Sequence, residues 1–271
     1  MYQDYDVKKI QAHLLDILSE VVRVCEELHI DYFIVGGTAL GAVRHRGFIP
    51  WDDDLDIGMT RENYERFLVE AQGRLRKDLF LQTFETESDS PFYFAKVRKD
   101  HTKFVEKYCK NLNIHQGIFI DIFPYDFLPQ DAKKREKHYQ KVKRMLNLYI
   151  AKSVTGTSSI YHGIKKFVYL IIRWSLHLLV LPIPKQKLFQ MTDKLMKKYN
   201  LENTNLLGYA GLPKIQVSYD SVVVPDTIIF ENLMVKCPKH IEAYLKNNFG
   251  DYMTLPPENK RGGHVPDIIE Y

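Results

Sequence analysis

Cysteine is scarce in this chain, and its three thiols are isolated from one another. Cys25, Cys109 and Cys237 form no CxxC pair, which argues against a structural zinc knuckle. An odd number of scattered thiols is typical of a reducing cytoplasm, and residues 1–4 show no basic-then-apolar signal pattern. No internal repeat or low-complexity tract occurs. The expected location is therefore the cytoplasm.

A strong excess of charge of one sign is also missing. The net charge of +4 suits anionic substrates but does not by itself indicate nucleic acid as a partner. The basic stretch 133–144 leaves nucleic-acid modification open, although no motif of alternating basic and aromatic residues supports it. With 45% hydrophobic and 27% charged residues, the 271-residue chain has ample material for a globular core.

The predicted catalytic residues lie where a short apolar strand is followed by two glycines and, some residues later, by four aspartates. Side chains alternate along a strand, so Asp54 and Asp56 are predicted to point one way and Leu55 the other. Adjacent carboxylates repel each other, and a divalent ion such as Mg²⁺, with Mn²⁺ as the alternative, would offset that repulsion. Apolar residues interleave these carboxylates, which argues against the competing interpretation of a solvated acidic turn. Asp52 and Asp53 are expected to cap a turn or to support a metal ligand.

Gly36, Gly37 and Thr38 are predicted to form a phosphate-binding turn. Small residues just before a helix expose backbone N–H groups, which suit a phosphate. Metal-binding carboxylates next to such a turn indicate phosphoryl-type transfer.

Asp121 is the third predicted active-site carboxylate. It lies within the apolar stretch Ile118–Phe123, where a lone charge is costly unless it is paired or binds a metal. Asp121 could be a metal ligand or the general base that accepts the proton of an acceptor hydroxyl. The alternatives are a turn cap or a pair with an arginine. Asp126, which follows Pro124, is predicted to be a turn residue.

Basic residues near these motifs are predicted to offset charge on a departing phosphate. Arg44 and Arg98 are the preferred residues, and Lys96 is a further candidate. Arg261 could return to the active site because two preceding prolines fix an extended approach, or it could belong, with His264, to a flexible polar tail. Isolated basic residues are also common at the surface, so a solubilising role for each stays open.

The motif stretch 35–56 resembles the LicD family of the nucleotidyltransferase superfamily. Two further blocks agree with that family, Gly117–Asp126 and the C-terminal stretch Phe249–Met253 with Leu255, Pro256, Pro257 and Arg261. The resemblance implies a mixed sheet flanked by helices, with a third carboxylate beside the Asp-x-Asp strand, a place that Asp121 fits. It also implies transfer of phosphocholine from CDP-choline, or a related CDP-alcohol, to a hydroxyl of a cell-surface glycan precursor of the teichoic acid, lipopolysaccharide or capsule type.

Three alternatives to this function stay open. The enzyme could transfer another alcohol phosphate, such as glycerol or ribitol phosphate, or it could transfer a nucleotide to a sugar. A catalytically silent scaffold that binds glycan is a different class, against which the intact carboxylate set argues. A choline group would need an aromatic cage, for which Trp51, Tyr93 and Tyr125 lie near the motifs.

We expect an α/β (α+β) protein in three parts, with the nucleotidyltransferase-like core at 1–130, a helical insert at 131–200 and a C-terminal portion at 201–271 that completes the active site. Helices are expected at 7–29, 38–44, from about 61, in the basic run that ends at 146, at 167–181, 187–199 and 240–249, with a loop at 155–159. Strands are expected at 32–35, 54–57, 92–98 paired with 104–108, 118–123, 221–224 and 227–230.

The mostly apolar stretch 167–181 is too short and too interrupted for a bilayer span of roughly 20 apolar residues. It could instead lie on the inner face of the plasma membrane, where the neighbouring basic residues would meet anionic lipid. A buried helix within the insert is the competing interpretation.

Overall fold

A computed structural model describes residues 5–154, 163–202, 204–212, 215–264 and 266–271. The helices in these residues are α1 Val7–Glu27, α2 Gly36–His45, α3 Arg61–Glu70, α4 Ala132–Ser153, α5 Gly163–Val180, α6 Lys185–Met196, α7 Asp220–Val223 and α8 Ile241–Phe249. The strands are β1 Phe33–Ile34, β2 Asp56–Thr60, β3 Leu79–Gln82, β4 Ala95–Lys99, β5 Lys103–Val105, β6 Phe119–Phe127, β7 Leu207–Gly208, β8 Gln216–Val217, β9 Asp226–Phe230, β10 Leu233–Cys237 and β11 Ile268–Glu270. Short 3₁₀ helices span Lys107–Cys109, Lys197–Tyr199 and Glu258–Lys260.

The central sheet is mixed and is flanked by helices, which confirms the expected fold class. Its strand order is β1-β2-β6-β4-β3, and β7 joins it to β8 through the end of β6. Strands β2 and β6 run parallel, whereas the other described pairs run antiparallel. Strand β6 is therefore the centre of the sheet, because it pairs with β2, β4 and β7.

Helix α1 forms because its apolar residues recur at helical spacing and its first turn is capped. The Asp6 side chain accepts hydrogen bonds from the backbone of Lys8 and Lys9. Its apolar face, from Ile10 to Val24, is almost completely buried and lies against β4 and β6. This face supports the back of the sheet strands that carry the predicted active-site residues.

Several predicted boundaries were wrong. Strand β2 begins at Asp56, so Asp54 precedes the strand that was expected to include it. Strand β4 does not pair with β5 but lies between β3 and β6, while β5 pairs with β11. The predicted strand at 221–224 is occupied by helix α7. Helix α2 begins two residues earlier than expected, at Gly36.

Asp126 is not a turn residue. It lies on β6 and is 1% exposed, and its carboxylate accepts hydrogen bonds from Arg61 and Asn200. Pro124 was taken as a turn signal, but it lies between the part of β6 paired with β4 and the part paired with β7. A residue without an N–H is tolerated there, because one edge of β6 has no partner strand at that point.

The insert contains α4, α5 and α6, of which α4 packs against both α5 and α6. The loop expected at 155–159 lies outside the described residues, and the expected boundaries between the three parts stay predictions. Within the described ranges, no single helix is long and apolar enough to cross a membrane. The pair Gly163–Val180 and Lys185–Tyr199 passes by length and composition when taken together, with a bend of 102° between its helices.

Candidate active site

Three charged side chains lie side by side across the middle of the sheet. Asp56 on β2 is in register with Asp121 on β6, and Asp121 is in register with Lys96 on β4. Residues at matching positions of neighbouring strands project from the same face of the sheet. Lys96 is 2% exposed, and its Nζ lies 2.6 Å from Asp121 Oδ1. The structure thus brings together two of the predicted carboxylates and one predicted cation.

The acidic loop before β2 adds further carboxylates to this row. Burial, followed by the charges of Asp54 and Asp121, raises the pKa of Asp56 well above its usual range. Burial and Asp54 raise the pKa of Asp52 to about 8. Asp121 also has a raised pKa, because burial outweighs the opposing charge of Lys96. The cluster therefore holds more carboxylates than nearby cations can balance.

Helix α2 begins directly against these carboxylates. A Cβ on Gly36, whose φ is +57°, would lie 3.3 Å from Asp56 Oδ2, and a Cβ on Gly37 would lie 2.9 Å from Asp52 Oδ2. Gly36 needs glycine for its backbone conformation, and an added Cβ at either position would push against a carboxylate of the acidic cluster. The Thr38 hydroxyl accepts a hydrogen bond of 2.9 Å from the Asp56 backbone N–H, which connects the helix to the strand.

The predicted phosphate-binding turn needs one correction. The Gly36 N–H donates to the Tyr244 hydroxyl on α8 at 3.0 Å, so this amide is already paired. The amides of Gly37 and Thr38 donate to no atom in the part of the chain that the structure describes. These two amides, at the first turn of α2, are the ones available to a phosphate.

Asp53 attaches both chain ends to the acidic loop. Its side chain is completely buried and accepts hydrogen bonds from the His264 backbone N–H at 2.9 Å and from the Tyr5 hydroxyl. His264 Nδ1 lies 3.1 Å from the same carboxylate, and this contact raises the pKa of His264 to about 9. His264 therefore belongs to the site and not to a free tail, and its Nδ1 lies 3.9 Å from Asp54 Oδ2.

A pocket of about 440 Å³ opens over the charged row. Its lining includes Asp54, Asp56, Asp121, Lys96, Glu106 and His264, together with the aromatic residues Phe92, Tyr93, Phe94, Tyr108, Phe119, Phe123 and Tyr209. The Lys96 ammonium lies 3.5 Å from the Phe119 ring centroid and 4.2 Å from that of Phe92. These ring faces already hold one cation, as cation–π contacts require.

Several of these residues could not be singled out from the sequence. Glu106 and Tyr108 follow a strand that was mispaired, and Tyr209 and Tyr244 carry no local motif. Of the aromatic candidates for a cage, Tyr93 lines the pocket, whereas Tyr125 is buried in the core and Trp51 lies beneath Arg261.

Arg98 does not reach the pocket, contrary to the sequence-based prediction. It is 2% exposed and donates to Gln82 Oε1 at 2.7 Å and to the Gly117 carbonyl at 2.9 Å. Its guanidinium lies 4.6 Å from the Phe119 ring centroid, on a ring that also contacts Lys96. Burial lowers the pKa of Arg98. Its position supports the pocket wall from behind.

Arg44 and Arg261 lie together beside the acidic loop. Arg44 donates to the Tyr252 carbonyl at 2.9 Å, and Arg261 donates to the Pro256 carbonyl at 2.9 Å. Burial and the Arg261 charge lower the pKa of Arg44, while Asp52 raises it. Neither arginine lines the pocket over the charged row, and their predicted contact with substrate stays a prediction.

Carboxylates are suitable ligands for a hard divalent ion, although in this structure they do not surround a common point. Among the described residues, no group of three His, Cys, Asp or Glu side chains is close enough to hold a metal ion as it stands. The raised pKa of Asp56 shows why a cation would be favoured there, because nearby positive charge would relieve the cost of ionising it. The residues that would hold the ion are Asp54, Asp56 and Asp121.

Comparison with known proteins agrees with this site. Residues 29–152 match the model of the LicD/FKTN/FKRP nucleotidyltransferase domain. The lipopolysaccharide cholinephosphotransferase LicD of Haemophilus influenzae is 26% identical over an alignment of 275 positions, which covers 95% of each chain. Human and mouse ribitol 5-phosphate transferase FKRP are each 46% identical over 43 residues, 16% of this chain and 9% of those proteins. Residues 29–152 therefore form a domain of the LicD/FKTN/FKRP type, as the motifs indicated.

Proposed function

We propose that this protein transfers phosphocholine from CDP-choline to a hydroxyl of a cell-surface glycan precursor, with the help of Mg²⁺. The observation that carries the proposal is the row of Asp56, Asp121 and Lys96 at the floor of a pocket with aromatic walls. The full-length similarity to a lipopolysaccharide cholinephosphotransferase supports the choice of donor and acceptor class. The three buried free thiols fit a cytoplasmic location.

Asp54, Asp56 and Asp121 would hold Mg²⁺, which when bound would neutralise charge on the donor pyrophosphate. The free amides of Gly37 and Thr38 would orient a phosphate at the start of α2. Arg44 and Arg261, beside the acidic loop, would offset negative charge on the departing CMP. Because this reaction depends mostly on positioning and charge neutralisation, few groups need to take part in covalent chemistry.

The reaction requires one proton transfer and one displacement at phosphorus. The acceptor hydroxyl oxygen forms a bond to the choline-bearing phosphorus, and the bond from that phosphorus to the CMP oxygen breaks, with CMP taking the electron pair. The hydroxyl proton passes to a carboxylate, and Asp121, on the pocket floor, is the candidate where it acts as the general base and not as a metal ligand. Protonated Asp121 no longer balances the neighbouring Lys96, whose ammonium would then offset negative charge on the phosphates.

The aromatic wall suits a quaternary ammonium, which donates no hydrogen bond and binds ring faces instead. Tyr93, Phe123 and Tyr209 line the pocket alongside the rings that contact Lys96. Glu106 adds a carboxylate on this wall and accepts a hydrogen bond of 2.8 Å from the Tyr108 hydroxyl. A cationic head group would therefore meet both ring faces and a negative charge.

The test is release of CMP from CDP-choline in the presence of Mg²⁺ and a glycolipid extract. We expect metal-dependent release by the wild type and none above background for Asp54→Asn. Asp226→Asn is the matched control, since it makes the same chemical change at an exposed residue of β9. Release by Asp54→Asn at the rate of the control, or by the wild type without any divalent ion, would contradict the proposal.

Ribitol phosphate is the second candidate for the transferred group, because a segment of this chain is 46% identical to ribitol 5-phosphate transferase FKRP. CDP-ribitol and CDP-glycerol therefore belong in the same assay. Release from one of these donors but not from CDP-choline would keep the site and replace the substrate. Absence of release from every donor by folded protein with acceptor present would favour a glycan-binding scaffold.

A further inference from the structure

Helix α5 is amphipathic, but its orientation is the reverse of that of a helix whose apolar side packs against a core. Its apolar side chains face solvent, with exposed fractions between 51% and 83% for Ile164, Phe167, Ile171, Trp174, Leu178 and Leu179. Patches of this kind on a soluble protein usually mark an interaction surface. We call this set of six side chains the outer face of α5.

Two polar side chains of α5, Arg173 and His177, point inward and have structural partners. Arg173 is 6% exposed and donates to the Val154 carbonyl at 3.0 Å, and His177 Nδ1 lies 2.8 Å from the Ala151 carbonyl. In return, Lys152 of α4 donates to the Leu181 carbonyl at 2.7 Å. These contacts satisfy backbone carbonyls at the ends of α4 and α5. They fix the orientation of α5, so its outer face is not free to turn inward.

The charge around α5 indicates what covers its outer face. Residues 137–192 contain ten Lys and Arg and no Asp or Glu, although the whole chain has nearly equal numbers of the two kinds. Lys137, Lys141, Lys143 and Arg144 on α4 are exposed, as are Lys165 on α5 and Lys187 on α6. A second copy docked through the same face would bring these cations together, which is unfavourable, whereas an anionic lipid surface would attract them.

We propose that the outer face of α5 docks on an anionic bilayer surface, with the helix lying in the plane of the interface. The apolar side chains would enter the boundary between head groups and acyl chains, and Trp174 suits this depth because tryptophan favours membrane interfaces. The lysines of α4 would contact anionic head groups. The proposal does not depend on the donor or acceptor, although α4 also lines the pocket with Leu146 and Ile150.

The test is co-sedimentation of the full chain with vesicles of equal parts phosphatidylcholine and phosphatidylglycerol. We expect binding that weakens as salt rises, and little binding to phosphatidylcholine alone. Ile171→Glu/Leu178→Glu should reduce the partition coefficient by at least about tenfold, since two large side chains would no longer enter the apolar layer. The matched control Leu201→Glu/Ile229→Glu changes the net charge equally at other exposed apolar residues and should bind more tightly than the first pair.

A second measurement takes its main readout from the wild-type protein, and a single conservative variant serves as its control. Brominated lipid should quench Trp174 fluorescence in the wild type, and Trp174→Phe should lose that quenching while it still binds. Equal binding by the two double variants, or absence of quenching in vesicle-bound wild type, would overturn the proposal. Self-association that Ile171→Glu/Leu178→Glu abolishes, without any vesicle binding, would show that a second copy covers this face.

Discussion

Asp56→Asn should change stability in opposite directions with and without Mg²⁺. Asp56 carries a raised pKa because it is buried beside Asp54 and Asp121, so its charge costs free energy in the folded protein. No described side chain donates a hydrogen bond to its carboxylate that the substitution would break. Two unit charges about 5 Å apart at an effective dielectric of about 20 repel by roughly 3 kcal/mol. Partial protonation reduces that value, so a gain of about 2 kcal/mol without metal is expected.

The assay is thermal unfolding in EDTA and in Mg²⁺. In EDTA the melting temperature of Asp56→Asn should exceed that of the wild type by about 4 °C for a chain of this length. Mg²⁺ at about 100 times its dissociation constant should stabilise the wild type by about 2.7 kcal/mol, and it should leave the variant nearly unchanged. The exposed Asp226→Asn should behave as wild type in both conditions. A variant that is less stable in EDTA, or that keeps the full response to Mg²⁺, would refute the reasoning.

Three further predictions concern the scaffold around the site. Arg61→Met should lower the free energy of unfolding by about 3–5 kcal/mol in urea titrations, because it leaves the buried Asp126 carboxylate without its ionic partner. Tyr244→Phe should cost about 1–3 kcal/mol in the same assay, since the buried Gly36 N–H loses its acceptor. His138 is 2% exposed with neither ring nitrogen hydrogen-bonded in the described structure, and burial lowers its pKa from 6.5 to about 4. At His138 the unfolded chain therefore binds a proton more tightly than the folded protein does. The free energy of unfolding should fall by about 2 kcal/mol from pH 7 to pH 5, and His138→Phe should not show this decrease.

Each of these predictions has a control that distinguishes its stated cause from a general loss of stability. Adding Asp126→Leu to Arg61→Met should recover part of the lost stability, because no unpaired charge is then buried; a further loss would contradict the assignment. Tyr139→Phe removes a hydroxyl that pairs with a side chain at the edge of the core, and it should cost less than Tyr244→Phe. If His138→Phe shows the same slope of stability against pH as the wild type, another group is responsible for it.

Most of what could be predicted about the carboxylates came from short, contiguous stretches of the sequence. The glycine pair and the Asp-x-Asp spacing are contiguous, so their chemistry is visible without knowledge of the fold. Asp121 could be found because a lone charge in an apolar strand needs a partner. Lys96 was a candidate cation, but its pairing with Asp121 depends on β4 lying next to β6 in the sheet. The local sequence does not show which strands will be neighbours when they are far apart along the chain. Arg98 was misassigned because a strand of alternating cations does not reveal which of them is covered by Phe119.

The candidate site holds two unbalanced charge groups side by side, and this arrangement limits what can bind there. Asp54, Asp56 and Asp121 are opposed by Lys96 and His264. Arg44 lies near both Asp52 and Arg261, and Arg261 has only a long ion pair of 4.0 Å, to the exposed Glu258. A neutral ligand would relieve neither imbalance. A pyrophosphate that arrives with a divalent ion would meet both, since the ion would neutralise the carboxylates and the phosphates would neutralise the arginines. The charge pattern of the folded chain therefore supports our proposal of a metal-bound nucleotide donor, independently of which alcohol the donor carries.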